Sequence, residues 1–196
     1  MFVALRDIRF ARGRFALMGT VVMLITTLVV FLYGLTGGLA REASSAVSGL
    51  PADRIVFGAP PGAKPEVSFG NSVLDERQIA AWRAAPGVTS AEPLGVAMTR
   101  LTAGDRAVLV SVLGTADRLR PALLSGSAPG DGQVAVGERI ARENRVRPGD
   151  RVTLGTLALT VSGVTADRGY GHAPSVWTTL PTWARVSHQP GPSALA

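Results

Sequence analysis

The hydrophobic pattern of the chain begins with an unbroken apolar run, residues 15–40, which has 26 residues and no charged side chain. Its central part, residues 15–35, would form an α-helix about 31 Å long, close to the ~30 Å thickness of a bilayer's hydrocarbon core. A helix satisfies its own backbone hydrogen bonds, so such a segment can cross lipid. The pattern therefore predicts a transmembrane helix at residues 15–40, preceded by a basic segment at residues 1–14.

Beyond residue 40, short apolar stretches alternate with turns rich in glycine and proline. Asp75 and Gln78 have the spacing of a helix capping box, and they predict a short helix that ends at a Pro-Gly pair. Apolar stretches at residues 96–101 and 106–113 flank a Thr-Ala-Gly-Asp turn, which predicts a β-hairpin. Helix and hairpin in succession indicate a mixed α+β domain.

The C-terminal half continues this mixed pattern. Proline and glycine occupy the two central positions of a type II turn at residues 147–150. The other predicted elements are a helix at residues 138–144 and strands at residues 134–136, 151–154, 157–164 and 176–180. Pro181 is predicted to end the last strand. We therefore expect an α+β domain with antiparallel hairpins at residues 41–190, followed by a patternless tail at residues 191–196.

Charge predicts the orientation of the apolar helix. Basic residues favour the cytoplasmic side of a membrane, so the N-terminus should be cytoplasmic and everything after residue 40 extracellular. The alternative is a cleaved signal peptide, but the apolar run is longer than the 7–15 residues of a typical signal sequence. The cytoplasmic anchor would be formed by four arginines: Arg6, Arg9, Arg12 and Arg14.

Gly34 and Gly38 lie near the outer end of the apolar helix with GxxxG spacing. This spacing lets two helices approach closely in lipid, so the pair is a candidate helix-packing site. A flexible exit from the bilayer would explain the same glycines, and the sequence leaves both interpretations open.

Composition narrows the possible functions. The 156 residues after position 40 can bury a core of their own, and the ectodomain arginines are scattered without a basic stripe, which argues against nucleic-acid binding. The chain contains no cysteine, which excludes thiol catalysis and cysteine-based zinc sites. Its two histidines lie outside any catalytic or metal-ligating motif. We therefore expect a non-catalytic protein without a cofactor or metal.

One glycine-rich stretch carries candidate binding residues. In Arg-Gly-Tyr-Gly-His, Tyr170 and His172 are side chains that can ligate haem iron, and the glycines would let a flat ligand approach. The alternative, which we favour, is a glycine-rich connection between two strands.

Three stretches together resemble the MacB/FtsX-like permease subunits of ABC transporters. They are ALRDIRFARGRFALMG, DERQIAAWRAAPGVTSAEPL and VAVGERIARENRVRPGDRVTLGTLALTVSGV. The first of them, together with LPADRIVFG, is most similar to the HrtB-type haem-efflux permeases. The resemblance implies a MacB-like periplasmic core domain after the first membrane helix. Permeases of this family normally have three more membrane helices after that domain, so the chain corresponds to the N-terminal half.

The resemblance also implies a function. We expect a permease subunit of an efflux transporter for haem or another hydrophobic substrate, embedded in membrane lipid and paired with a separate ABC ATPase. The full-length permease would be a homodimer in the cell membrane. The alternative is a single-pass, membrane-anchored binding or adaptor module outside the cell.

Overall fold

The computed structural model describes residues 12–59, 64 and 66–196 of the chain. The chain divides after Arg41 into two compact units, each described by itself. Arg6 and Arg9, with most of the predicted basic segment, lie outside the described residues. The helices are α1 (Arg12–Ser48), α2 (Glu76–Arg83), α3 (Glu138–Asn144) and α4 (Leu180–Ser187). The strands are β1 (Val56–Phe57), β2 (Pro93–Ala103), β3 (Arg106–Thr115), β4 (Leu123–Gly126), β5 (Gln133–Gly137), β6 (Arg151–Leu154), β7 (Leu157–Thr165), β8 (Gly169–Tyr170), β9 (Ala173–Thr179) and β10 (Ala194–Leu195).

The first unit is the N-terminal part of α1. It is long and apolar enough to cross a bilayer by length and composition, and all its described side chains up to residue 41 are exposed. An exposed helix of this composition needs an apolar surrounding, which lipid supplies. Gly34 and Gly38 lie on this helix with no atom within 4 Å of a Cβ placed on them, so their role in helix packing stays a prediction.

The second unit, residues 42–196, is built on one mixed sheet with the order β1-β10-β2-β3-β9-β5-β7-β4. Strand β6 pairs with both β2 and β7, which are the first and last strands of the run β2-β3-β9-β5-β7. Six strands thereby form a closed ring: β2, β3, β9, β5, β7 and β6. The pairs β3–β9 and β5–β7 are parallel, whereas the predicted hairpins β2–β3 and β6–β7 are antiparallel. The expected α+β domain with antiparallel hairpins is confirmed.

Alternating side chains of the ring strands form two apolar clusters. The first cluster contains Val110, Val112 and Val176 together with Trp183 of α4. The second cluster is formed by side chains that alternate with these along the same strands, and it contains Leu113 of β3. Because side chains along a strand point alternately to opposite faces, the two clusters cover the two sides of the sheet.

Helix α4 packs against β2 and β3 through Trp183. Its indole ring lies directly over Gly95 and Gly114, where a Cβ atom would overlap the tryptophan side chain. The two glycines therefore let the helix approach the sheet closely enough to bury the whole ring.

Three expectations about the C-terminal half are corrected by the structure. Pro181 does not end the chain's regular structure: it occupies the first turn of α4, where proline is well tolerated, and Thr179 caps the helix. Residues 191–196 are not a patternless tail, because they include β10, which pairs with β1 and β2. Strand β4 forms at residues 123–126, for which the sequence predicts no element.

Candidate functional site

Within the second unit, the last residues of α1 are built into the domain. Ala46 is completely buried in the second cluster, beside Leu94 and Trp177. A helix end that buries a side chain this deeply is fixed to the sheet by packing as well as by its covalent connection. We call residues 42–50 and the facing β8–β9 hairpin the junction.

Ser45 is the polar centre of the junction. Its Oγ accepts a hydrogen bond of 2.8 Å from the backbone N–H of Gly169 and donates one of 2.9 Å to the C=O of Glu42. Gly169 is buried, and a Cβ on it would meet the Glu42 carbonyl oxygen at 3.0 Å. A side chain at this position would require the hairpin and the helix to move apart by a few tenths of an ångström, so glycine favours the close approach.

Two further hydrogen bonds join the hairpin to the end of α1. The backbone N–H of Gly171 donates to the C=O of Ala43 at 2.9 Å, and the Arg168 guanidinium donates to the C=O of Gly49 at 2.8 Å. The Gly49 carbonyl directly follows the helix C-terminus, where carbonyl groups lack partners within the helix and a cation is favourable. Arg168 therefore supplies a partner that the helix end needs, and the Gly171 N–H adds a second bond to the last turns of α1.

The turn of the β8–β9 hairpin has two residues with positive φ, Gly171 at 57° and His172 at 66°. Positive φ at both central positions defines a type I′ turn, whose twist matches that of the flanking strands. This conformation leaves His172 exposed at the tip of the hairpin.

Tyr170, two residues before His172, lies in an aromatic group. Its ring meets the ring of Phe69 edge-on at a centroid distance of 5.4 Å, and Phe69 meets Phe57 in the same way at 4.9 Å. The C=O of Tyr170 accepts a 2.7 Å hydrogen bond from Ser111 Oγ. Burial raises the pKa of the Tyr170 phenol, because desolvation disfavours the phenolate.

The structure places the two predicted haem candidates on one hairpin but in different surroundings. Tyr170 packs against Phe69, whereas His172 faces solvent. The described residues contain no group of three or more His, Cys, Asp or Glu side chains that could hold a metal ion. The favoured alternative described this stretch as a connection between strands, and the structure shows strands β8 and β9 with a two-residue turn.

Sequence reasoning missed the junction. Ser45 lies in an Ala/Ser-rich stretch, and its partner Gly169 lies 124 residues away in the sequence. The only sequence signal was weak: the glycine pair around Tyr170.

The fold agrees with that of known proteins. The sequence profile described as the MacB-like periplasmic core domain matches residues 15–195, and the chain therefore belongs to this family. The resemblance to the N-terminal portion of MacB/FtsX-like ABC permeases is confirmed. Among curated proteins, the chain is 26% identical over 179 residues to a protein named as a hemin transport system permease, HrtB, of Staphylococcus haemolyticus (strain JCSC1435).

Solved structures show the same fold. The extracellular domain of the noncanonic ABC-type transporter YknZ from Gram-positive bacteria has a TM-score of 0.56 at 12% identity, covering 72% of this chain and 79% of that one. The periplasmic region of MacB from Actinobacillus actinomycetemcomitans has a TM-score of 0.54 at 12% identity, covering 76% of this chain and 75% of that one.

The alignment with HrtB covers 90% of this chain but only 49% of the length of HrtB. The chain thus spans about half of the curated relative that it matches.

Proposed function

We propose that the chain is the N-terminal part of an ABC transporter permease subunit, with α1 as its first membrane helix and residues 42–196 as its extracellular domain. ATP hydrolysis would take place on a separate ATPase, and two copies of the full-length permease would assemble in the membrane lipid. The profile match over residues 15–195 supports the permease assignment.

The observation that carries this proposal is the junction. Within the second unit, the end of α1 is part of the domain's packing. Here the helix runs without interruption into Ser48, and its last turns are held by Ser45, Ala46 and the β8–β9 hairpin. Strand β9 continues from that hairpin into the centre of the sheet, between β3 and β5. A displacement of the helix end would therefore reach the core of the domain directly.

The orientation can be tested because the chain lacks cysteine. Two single-cysteine variants, Lys64→Cys in the extracellular domain and Arg12→Cys at the other end of α1, are expressed in intact cells. A membrane-impermeant maleimide should label only the first variant, and both should react after the membrane is permeabilised. Labelling of Arg12→Cys alone would invert the proposed topology.

The partner is tested by co-purification. The chain by itself, and any longer form of it that the coding sequence is found to encode, are expressed in membranes together with a candidate ABC ATPase. We expect the extended form to retain the ATPase and to change its rate of ATP hydrolysis. If no form retains the ATPase, the chain functions instead as a single-pass, anchored binding or adaptor module.

The substrate is proposed to be haem or another hydrophobic molecule, on the strength of the similarity to HrtB. The assignment of Tyr170 and His172 as haem ligands stays a prediction. The phenol of Tyr170 holds its proton and the imidazole of His172 is exposed, and neither condition favours binding of haem iron. If they bind haem, the double variant Tyr170→Phe, His172→Ala should lose the Soret shift that the unchanged chain shows on titration with hemin. An identical titration would exclude these two residues.

A further inference from the structure

The strand ring contains a short gap along the outer edge of β2. On that edge β10 pairs with β2 only at Pro93 and Leu94, and β6 pairs with it only at Leu101 and Thr102. The backbone between them, residues 95–100, has no strand opposite it among the described residues. At about 3.3 Å per residue, this gap is roughly 20 Å long.

Some of the outward-pointing backbone groups in the gap have partners other than a strand. The N–H of Val96 donates to Ser193 Oγ at 3.3 Å, and the C=O of Arg100 accepts from the N–H of Gly155 at 2.9 Å. In an antiparallel strand, alternate residues direct both backbone groups to the same edge. Met98 lies midway between Val96 and Arg100, so its N–H and C=O also point outward, and no strand partner faces them.

Met98 is one of the residues that line a cleft of about 450 Å³. One wall is formed by Phe69 and Tyr170, which pack with the second cluster, and the other by Val186 and Gln189 near the end of α4. The cleft's lining residues include no charged side chain. Its volume lies within the range of sites that bind small ligands or short peptide segments.

We propose that this cleft binds an extended, uncharged, apolar peptide segment of a partner protein, which pairs with Met98 as a short antiparallel strand. An edge with a free donor and acceptor is a template for strand addition, in which main-chain hydrogen bonds supply affinity. Side chains of an added strand would alternate between the aromatic wall and the wall formed by α4. Both flanking strands are antiparallel to β2, so the added segment would continue their direction and fill the gap between them. This inference goes beyond transport and does not depend on it.

The test measures amide hydrogen exchange by NMR in the full chain held in detergent micelles. The probe is the blocked tripeptide acetyl-Val-Leu-Val-amide, and its control is the same peptide with all three residues N-methylated. We expect the first peptide to shift the Met98 amide resonance saturably and to slow its exchange about tenfold or more. The amides of Ala97 and Thr99, which face β3, serve as internal controls and should not change.

A pair of glutamine variants tests the location. Gln189→Glu places a charge in the neutral cleft, where its carboxylate can still accept the hydrogen bond that Ser193 Oγ donates to Gln189 at 3.3 Å. Covering that charge with an apolar peptide is unfavourable, so the affinity should fall about tenfold or more. The matched control is Gln78→Glu in α2, at a helix position that favours glutamate, and it should bind as the unchanged chain does.

Two results would overturn the proposal. Exchange at Met98 that does not respond to millimolar tripeptide would show that the edge is closed to strand addition. Equal effects of the tripeptide and its N-methylated form would show that the cleft takes any apolar molecule, such as a lipid chain, without backbone pairing.

Discussion

Replacing Ser45 by alanine should loosen the junction by a definite amount. The substitution removes the Oγ that accepts from the Gly169 N–H at 2.8 Å. Gly169 is buried and packed against α1, so water cannot easily replace the lost acceptor. A buried N–H without a partner costs about 1–3 kcal/mol. Alanine also favours the helix by up to about 0.5 kcal/mol relative to serine, which partly hides this cost.

Ser48→Ala is the matched control because it carries the same gain in helix propensity. The Ser48 hydroxyl is exposed and donates only to the C=O of Ser44 one turn earlier, at 3.0 Å. Subtracting one variant from the other therefore cancels the propensity term. The remaining difference in the free energy of unfolding should be about 1–3 kcal/mol, with Ser45→Ala the less stable variant.

Urea unfolding in a fixed detergent, followed by tryptophan fluorescence, measures this difference. Trp177 is completely buried in the same cluster as Ala46, so its emission reports on the packing beside the junction. The Gly169 amide should also exchange faster in Ser45→Ala. If both variants unfold at the same urea concentration and Gly169 exchanges at an unchanged rate, the hydrogen bond does not hold the junction together.

Two further predictions concern the core and the aromatic group. Gly95→Ala should destabilise the domain by about 1–3 kcal/mol or more, because the new methyl group overlaps the ring of Trp183. Thermal unfolding measures this loss of stability. The control is Gly70→Ala, where the nearest atom is 3.9 Å from the new Cβ, and it should have little effect. Burial raises the pKa of Tyr170, so the folded state holds the phenolic proton more tightly than the unfolded state does. The resulting stability is complete below the ordinary tyrosine pKa of about 10 and is lost as the pH rises through the higher folded pKa. Urea unfolding between pH 8 and 11 should show this decline in the unchanged chain and a smaller decline in Tyr170→Phe, and parallel curves would contradict it.

The elements that sequence reasoning predicted correctly are those with local causes. The capping box is formed as expected: the Gln78 N–H donates to Asp75 Oδ1 at 2.7 Å, and the Asp75 N–H donates to Gln78 Oε1 at 3.0 Å. The type II turn closes through a 3.0 Å bond from the Asp150 N–H to the Arg147 C=O, with Gly149 at a φ of 101°. In both cases the interacting groups are three residues apart, so the sequence itself contains the geometry.

The features that were missed depend on distant partners or on a signal with two meanings. Pro181 was interpreted as the end of a strand, but the same residue is compatible with the first turn of a helix, and Thr179 decides between the two as the N-cap. Strand β10 has only two residues, too few to show any periodicity. The closure of the ring by β6 and the role of Ser45 both rest on pairings that no local pattern indicates.

The central position of β9 has a consequence for how the domain forms. Strand β9 lies between β3 and β5 and closes the ring, and its pairing with β3 joins residues 64 positions apart, such as Ser111 and Ser175. Until residues 173–179 have emerged, β3, β2, β6, β7 and β5 can form an open sheet but not the closed ring. Such long-range parallel pairing is slow, typically milliseconds to seconds, because a long loop must close before any contact stabilises it. A chain whose domain emerges from the membrane after α1 would thus close the ring, and complete its core, only in a late step.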